Sequence, residues 1–448
     1  MGLFDWLFGR KKSDPYGAGL GRSYGTPAPQ PASGRPQGSP APVAPSGRAQ
    51  RVAQLSWRRK RSKHGVDAVR DQTLGGARNP QTGAPSVAGA ISGVGGTPGH
   101  PDPYFDAGRV ASHELPALTH LDALAELIET PRNELLWLAV KPPFSNKLWG
   151  HYHLFEVRKK SGGTRLLAAP MPRLKAVQRK LLDKLVSRLP VHGAAHGFRR
   201  GRGILSGANV HVGKDVLVCL DIKDFFPSFT FRRVSGYFRW LGYGRGIANA
   251  IAALTTARLT ETNQRQGTTW AAAHTGMHPD MNHRRHPELP QGAPTSPGLA
   301  NAICWRMDKR LSALARKFGG DYTRYADDLT FSGGQDMARH TDNLIKLVRK
   351  IVRSEGLQLN DPKTRVMQKG RQQRVTGVVV NEKTNLSRRE FDRLKAILHN
   401  CVKHGPAGQN RENHTDFKGH LQGRVAHAMH IGPERGAKLK AIFDKIVW

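Results

Sequence analysis

The stretch Thr323-Arg324-Tyr325-Ala326-Asp327-Asp328-Leu329-Thr330-Phe331 constrains this chain more than any other. Strand-forming residues stand on both sides of two adjacent carboxylates: Tyr322, Thr323 and Tyr325 before, Leu329, Thr330 and Phe331 after. β-branched and aromatic residues around a polar pair predict a β-hairpin, with Asp327 and Asp328 at or beside its turn. Two like charges side by side repel unless a positive charge stands between them. A divalent cation is the usual solution, and Mg²⁺ needs only one or two carboxylates when substrate phosphates complete its shell. A solvated Asp-Asp turn is the plainer account of the dipeptide alone, so other stretches have to decide.

Charge narrows the choice of partner. The 448 residues carry 70 Lys and Arg against 34 Asp and Glu, a formal net charge of +36. Such an excess argues for a polyanion, most simply a nucleic acid. An anionic membrane surface is the competitor, but no apolar run approaches the roughly 18–20 residues that span a bilayer. A hydrophobic content of 38% is enough to bury a sizeable core in two or three domains. The three cysteines, Cys219, Cys304 and Cys401, are far apart, which predicts buried thiols in a reducing cytoplasm and neither a disulfide framework nor a Cys-based zinc site. No secretory signal pattern is present.

The first 110 residues read as an extension. Leu3, Phe4, Trp6, Leu7 and Phe8 form an apolar island before a basic cluster, either a short docking helix or an incidental sticky terminus. Residues 13–103 are rich in Pro, Gly, Ala and Ser and poor in large apolar side chains, so a disordered arm is expected. Its most basic part, residues 51–63, either tracks phosphates or merely solubilises.

Order is expected from about Ala111. Residues 113–138 carry leucines at helical spacing. Residues 151–169 read as two strands around Gly162-Gly163, a basic hairpin able to lie across a triphosphate. Pro172 opens an amphipathic helix with Leu174, Val177, Leu181, Leu182 and Leu185 on one face. Residues 216–221 (VLVCLD) are a continuous apolar run ending in Asp221, a buried strand that delivers an acid to its exposed end. Phe225 and Phe226 follow at once, an aromatic wall beside the acid; a turn-capping Asp is the simpler alternative. Residues 232–257 and 299–318 read as helices, the second opened by the Pro- and Gly-rich loop that contains Gln291-Gly292. After the acid hairpin come a helix at 342–355, a strand-turn-strand at 365–380, and helices at 387–401 and 433–448. His192 and His196, and the run His274, His278, His283 and His286, lack the spacing and carboxylate of a helical zinc motif and read as polar loops.

Asp221 and Asp327 are far apart in sequence, so only a fold can join them. A βαββαβ-like sheet does so by setting a strand end beside a hairpin. Three carboxylates at one point in a basic protein suit two-metal phosphoryl transfer.

From about Tyr152 onward the chain resembles the reverse transcriptases, and among them the bacterial retron enzymes. The resemblance rests on Ser161-Gly162-Gly163-Thr164-Arg165, His196-Gly197-Phe198, Leu220-Asp221-Ile222-Lys223-Asp224-Phe225-Phe226-Pro227, Leu289-Pro290-Gln291-Gly292-Ala293-Pro294-Thr295-Ser296-Pro297, Tyr325-Ala326-Asp327-Asp328 and Val375-Thr376-Gly377, in family order. It implies an α+β right-hand polymerase, with fingers and palm over residues 111–380, a helical thumb-like region over 381–448, and the arm before them. It implies that Asp221, Asp327 and Asp328 are the catalytic carboxylates holding two Mg²⁺ ions, with Mn²⁺ as a substitute. Phe226 matches the aromatic that crowds a ribose 2′-OH, Gln291 and Gly292 the loop beside the incoming nucleotide, and Arg165 and Lys160 the fingers residues that meet the triphosphate. Lys363 matches a basic residue near the phosphates, and Val375, Thr376 and Gly377 a triplet associated with recognition of the enzyme's own structured RNA.

The implied partners are dNTPs, a cognate non-coding RNA serving as primer (through an internal guanosine 2′-OH) and template, the RNA–DNA hybrid made from it, a host RNase H and an effector protein encoded nearby. The implied product is branched single-stranded DNA made in antiphage defence. One departure is Gly207-Ala208-Asn209-Val210-His211, where the family often has Asn in the position of Gly207. The competing readings are an RNA-binding scaffold that restrains an effector, and a group II intron or diversity-element reverse transcriptase.

Overall fold

The computed structural model describes residues 102–139, 151–158, 164–257 and 287–448, all of which belong to one compact unit. The expected N-terminal arm before residue 102, Lys160 and the histidines 274–286 lie outside the described residues.

Ahead of the expected start near Ala111, Asp102 is already buried and α1 (Ala107–Ser112) is formed. The leucine-rich stretch that follows is two short helices, α2 (Leu121–Leu127) and α3 (Arg132–Ala139), which turn Leu124, Leu135 and Leu138 inward. The hairpin forms as expected from β1 (Tyr152–Arg158) and β2 (Thr164–Pro170), antiparallel from Tyr152 opposite Pro170 to Arg158 opposite Thr164. Helix α4 (Pro172–Lys184) has Pro at its first turn, where no backbone donor is lost, and buries Leu174, Val177 and Leu181. Its buried Gln178 donates to the Tyr152 hydroxyl at 2.9 Å and to the Leu254 carbonyl at 2.8 Å, tying the hairpin to the core.

After the short helix α5 (Ile204–Asn209) comes β3 (Val216–Asp221), every residue of it buried. Both of its faces are covered, hence the unbroken apolar run. Val216, Val218 and Leu220 enter the main core, while Leu217 packs on the other face with Val375 and Val378. The expected helix at 232–257 is two helices, α6 (Phe231–Trp240) and α7 (Arg245–Thr255). Between them Leu241 and Tyr243 turn into the core, and the Tyr243 hydroxyl donates to the Pro116 carbonyl at 2.9 Å. The helix expected at 299–318 is likewise α8 (Ser296–Ile303) and α9 (Trp305–Lys317), broken at buried Cys304.

The central sheet adds β4 (Gly320–Tyr325), β5 (Asp328–Gly333) and, after α10 (Gln335–Arg339) and α11 (Thr341–Ser354), β6 (Arg365–Gln368). Its order is β4-β5-β3-β6 with every neighbouring pair antiparallel. The strand-turn-strand read at 365–380 resolves into β6 plus a separate hairpin, β7 (Arg374–Val375) and β8 (Val378–Val379).

The C-terminal region is helical: α12 (Arg388–His404), α13 (Phe417–Ile431) and α14 (Pro433–Phe443). Ser387 caps α12 by accepting from the Glu390 amide at 3.2 Å. These helices share a second hydrophobic cluster, built from Leu394, Leu398, Leu421, Val425, Leu439 and Phe443. Among the described residues no helix is long and apolar enough to cross a membrane, and all three cysteines are buried free thiols.

Candidate active site

Two strand ends and one tight turn bring the three acids together. The β4–β5 hairpin pairs Tyr325 with Asp328, which leaves Ala326-Asp327 as a two-residue turn. Asp221, the last residue of β3, is paired with Asp328 on the neighbouring strand. Directly opposed residues of an antiparallel pair project from the same face, so the two carboxylates share it. The Asp327 carbonyl accepts the Ile222 amide at 2.9 Å, locking the turn to the chain that leaves β3.

The electrostatics follow from that crowding. Burial pushes the Asp328 carboxyl up to about 6, and the charges of Asp327 and Asp221 push the same way. Arg365 and Lys363 oppose the shift. The Asp221 carboxylate is held by the 360–363 segment: its Oδ2 meets the Lys363 ammonium at 2.8 Å and its Oδ1 accepts from Asn360 Nδ2 at 3.1 Å. The Asn360 amide also donates to the Asp221 carbonyl at 2.8 Å, a second attachment of the same residue.

Among the described residues no three His, Cys, Asp or Glu side chains stand ready-closed around a metal ion. The donor set nevertheless fits a hard divalent cation. It consists of carboxylate oxygens, it is crowded enough to hold one acid half-protonated near pH 6, and a Lys ammonium already rests against one member.

Aromatic rings wall one side. Phe226 is half-buried, its ring 5.4 Å from Phe225 and 6.5 Å from Phe198. Phe198 also lies 6.1 Å from Tyr325 of the acid hairpin, so Phe226 and the turn are parts of one packed group. The Gln291-Gly292 loop packs on β2, where the Gln291 carbonyl accepts the Ala168 amide at 2.7 Å. Gly292 takes φ +120°, and a Cβ there would sit 3.0 Å from the Ala168 carbonyl oxygen, so only glycine fits without strain.

The remaining expected residues fall in several places. The Arg165 backbone belongs to β2 opposite Val157; its side chain, like Lys160, lies outside the description. Lys363 follows Pro362 in a short 3₁₀ turn that leads into β6. Val375 is buried against Leu217 and Ala208, and Thr376-Gly377 form the turn of the β7–β8 hairpin with φ of +46° and +92°. Among the described residues His192 and His196 join no group of three metal-ligating side chains; His196 Nδ1 pairs with Ser206 Oγ at 2.9 Å, and burial and Arg202 hold its imidazole down at about 4.

Sequence reasoning gave no role to Asn360 or Arg324, and named Gly197 only within the His196-Gly197-Phe198 motif. Asn360 stands three residues before the noted Lys363, and that proximity was its only signal. Arg324 carried a clearer one, a lone charge inside a strand-forming run directly before the acids.

A family model described as reverse transcriptase (RNA-dependent DNA polymerase) matches residues 157–380. The Retron Mx65 reverse transcriptase of Myxococcus xanthus is 45% identical over 64% of this chain, and the Retron Mx162 reverse transcriptase of the same organism 41% over 69%. The match spans 63% and 64% of those two relatives' lengths. The Retron Ec86 reverse transcriptase of Escherichia coli is 30% identical over 66% of this chain and 82% of its own. The chain belongs to the reverse transcriptase family and, within it, to the bacterial retron type.

Proposed function

We propose that this chain is an RNA-directed DNA polymerase whose chemistry is carried by Asp221, Asp327 and Asp328. The observation that carries the reading is the pairing of Asp221 with Asp328 at the end of two buried strands, with Asp327 in the adjoining turn. Two Mg²⁺ ions (or Mn²⁺) bound by these acids would activate the attacking hydroxyl and neutralise charge at the transferring phosphoryl group. In right-hand terms, the central sheet is the palm, the β1–β2 hairpin belongs to the fingers and helices α12–α14 to the thumb.

Each further residue then has a task the chain itself performs. Lys363 lies against Asp221, where its ammonium would offer a positive charge to the substrate phosphates. Phe226, held by Phe225 and Phe198, closes the space a ribose 2′-OH would need. Gln291 and Gly292 bring an amide and bare backbone beside the incoming nucleotide, with Arg165 and Lys160 meeting its triphosphate. Val375 anchors the hairpin whose Thr376-Gly377 turn meets the cognate RNA.

The retron branch extends the reading. The substrate RNA is a structured non-coding RNA that primes from an internal guanosine 2′-OH, and the product is branched single-stranded DNA. A host RNase H trims the RNA strand, and an effector encoded nearby couples the product to antiphage defence. The buried free thiols support a reducing, cytoplasmic setting. Primer extension by purified protein tests the core of this proposal. Incorporation of dNTPs on an RNA template, lost in Asp327→Asn, is expected; incorporation that survives Asp327→Asn and Asp328→Asn would move the chemistry elsewhere.

A further inference from the structure

The acid turn is held from behind by a buried charge. Arg324, in β4, is completely buried, as is its partner Asp308 in α9. Its Nε and Nη2 donate to Asp308 Oδ1 and Oδ2 at 2.8 and 2.7 Å, the two-pronged geometry that fixes a guanidinium plane. Asp308 Oδ1 also accepts the Tyr322 hydroxyl at 2.9 Å. The remaining Nη1 donates to Asn301 Oδ1 at 2.8 Å and to the Ala326 carbonyl at 3.3 Å.

Ala326 is the first turn residue and sits at φ +55°, a conformation an alanine rarely keeps unaided. The connection at residues 194–197 braces the same point. The Arg324 amide donates to the Ala194 carbonyl at 2.7 Å, and the His196 amide donates to the Arg324 carbonyl at 2.8 Å. Asn301 Nδ2 donates to the Gly197 carbonyl at 2.8 Å. Through its side chain Arg324 therefore joins α8, α9 and the acid turn, and through its backbone the 194–197 connection. A buried ion pair is seldom the most stable filling for such a space, since an apolar pair of similar volume avoids the desolvation cost.

We propose that Arg324 is a positioning residue for the acids. By anchoring on Asp308 and Asn301 and donating to the Ala326 carbonyl, it sets the strained turn and with it the reach of Asp327 and Asp328 towards Asp221. This rests on the polymerase reading of those acids. Arg324 touches no substrate, and its effect travels through the turn backbone. Removing it while keeping the core filled lowers turnover without weakening nucleotide binding, because a displacement on the order of 1 Å at reacting groups costs about 100-fold in rate.

The test uses the full chain and a variant free of orphaned charge: Arg324→Met, Asp308→Leu and Tyr322→Phe together. Thermal unfolding, RNA-templated primer extension and Mn²⁺ binding followed by electron paramagnetic resonance are measured beside the parent and Asp328→Asn. The expected result is a folded variant with kcat down about 100-fold, KM for dNTP within about twofold, and Mn²⁺ held about tenfold more weakly. A folded variant with the parent's kcat and Mn²⁺ affinity overturns the positioning role. If the triple variant does not fold, Asn301→Ala is read instead, with kcat down about tenfold expected and an unchanged kcat and Mn²⁺ affinity overturning. Asp328→Asn separates the two claims. If it polymerises like the parent, the reading of the acids fails; if it is dead while the triple variant matches the parent, only the role of Arg324 fails.

Discussion

Asp221 and Asp328 are opposed partners in the ladder between β3 and β5, at the end of the strands where the acid turn begins. Their repulsion, with that of Asp327, is written into the Asp328 carboxyl, held up at about 6 by burial and by both neighbours. The site is thus built at a cost that a bound cation removes.

A first prediction follows for the metal. Mg²⁺ stabilises the folded chain, by about 2.7 kcal/mol when present at 100 times its dissociation constant. Scanning calorimetry with Mg²⁺ and with EDTA reads this as a rise in Tm that disappears in Asp328→Asn. A Tm indifferent to Mg²⁺ in the parent contradicts it.

Phe226 carries the second. Its ring is braced by Phe225 and Phe198 and cannot swing away freely. Phe226→Ala is expected to raise incorporation of rNTPs relative to dNTPs by one to two orders of magnitude, roughly 1–3 kcal/mol of lost discrimination. Selectivity measured by competing nucleotides in primer extension checks it, and an unchanged ratio removes the steric role.

Gly197 lies so close to the acid turn that an added Cβ would sit 3.0 Å from the Ala326 amide nitrogen and 3.3 Å from the Tyr325 ring. Gly197→Ala should destabilise the fold by about 1–3 kcal/mol through overpacking and displace the turn. Chemical denaturation and primer extension together report both effects. Parent-like stability and rate would show that the contact yields without consequence.

His211 supplies a pH dependence. Fully buried, it pairs with Ser332 Oγ and Thr323 Oγ1, each at 2.7 Å, and so joins β5 to β4. Burial is the main reason its imidazole is pushed from 6.5 down to about 3. The unfolded chain therefore binds this proton first. Stability is complete above about pH 6.5 and falls as pH drops towards 3, by at most about 1.4 kcal/mol per pH unit. His211→Gln should flatten that slope in urea titrations across the window; an unaltered slope assigns the acid sensitivity to other groups.

How much of this was legible in the sequence depended on how local the cause was. The β3 run and the acid hairpin were readable because strand propensity and the turn sit within a few residues of each other. The breaks at 241–244 and at Cys304 were hidden, since the apolar pattern runs through them and tertiary packing of Tyr243 and Cys304 decides. Asp221, Asp327, Asp328 and Lys363 were named beforehand and stand together in the fold, while Phe226 is linked to the acid hairpin through Phe198. The support of Asp221 by Asn360 and the buried grip of Asp308 and Asn301 on Arg324 were not legible, because the partners come from distant segments and their types are unremarkable alone. The triplet at Val375 was read as one recognition element; Val375 is in the core, Thr376 is half-buried and Gly377 is exposed.

The most direct test is to express the chain with its flanking genomic DNA and extract total nucleic acid from cells carrying the parent or Asp327→Asn. A small, discrete, RNase-resistant DNA whose mobility changes on debranching, present with the parent and absent with the variant, is the predicted result. The same DNA made by Asp327→Asn would move the chemistry away from these acids, and no such DNA from either, with no RNA-templated primer extension by a protein that still copurifies with RNA, would contradict the polymerase assignment and leave an RNA-binding scaffold in its place.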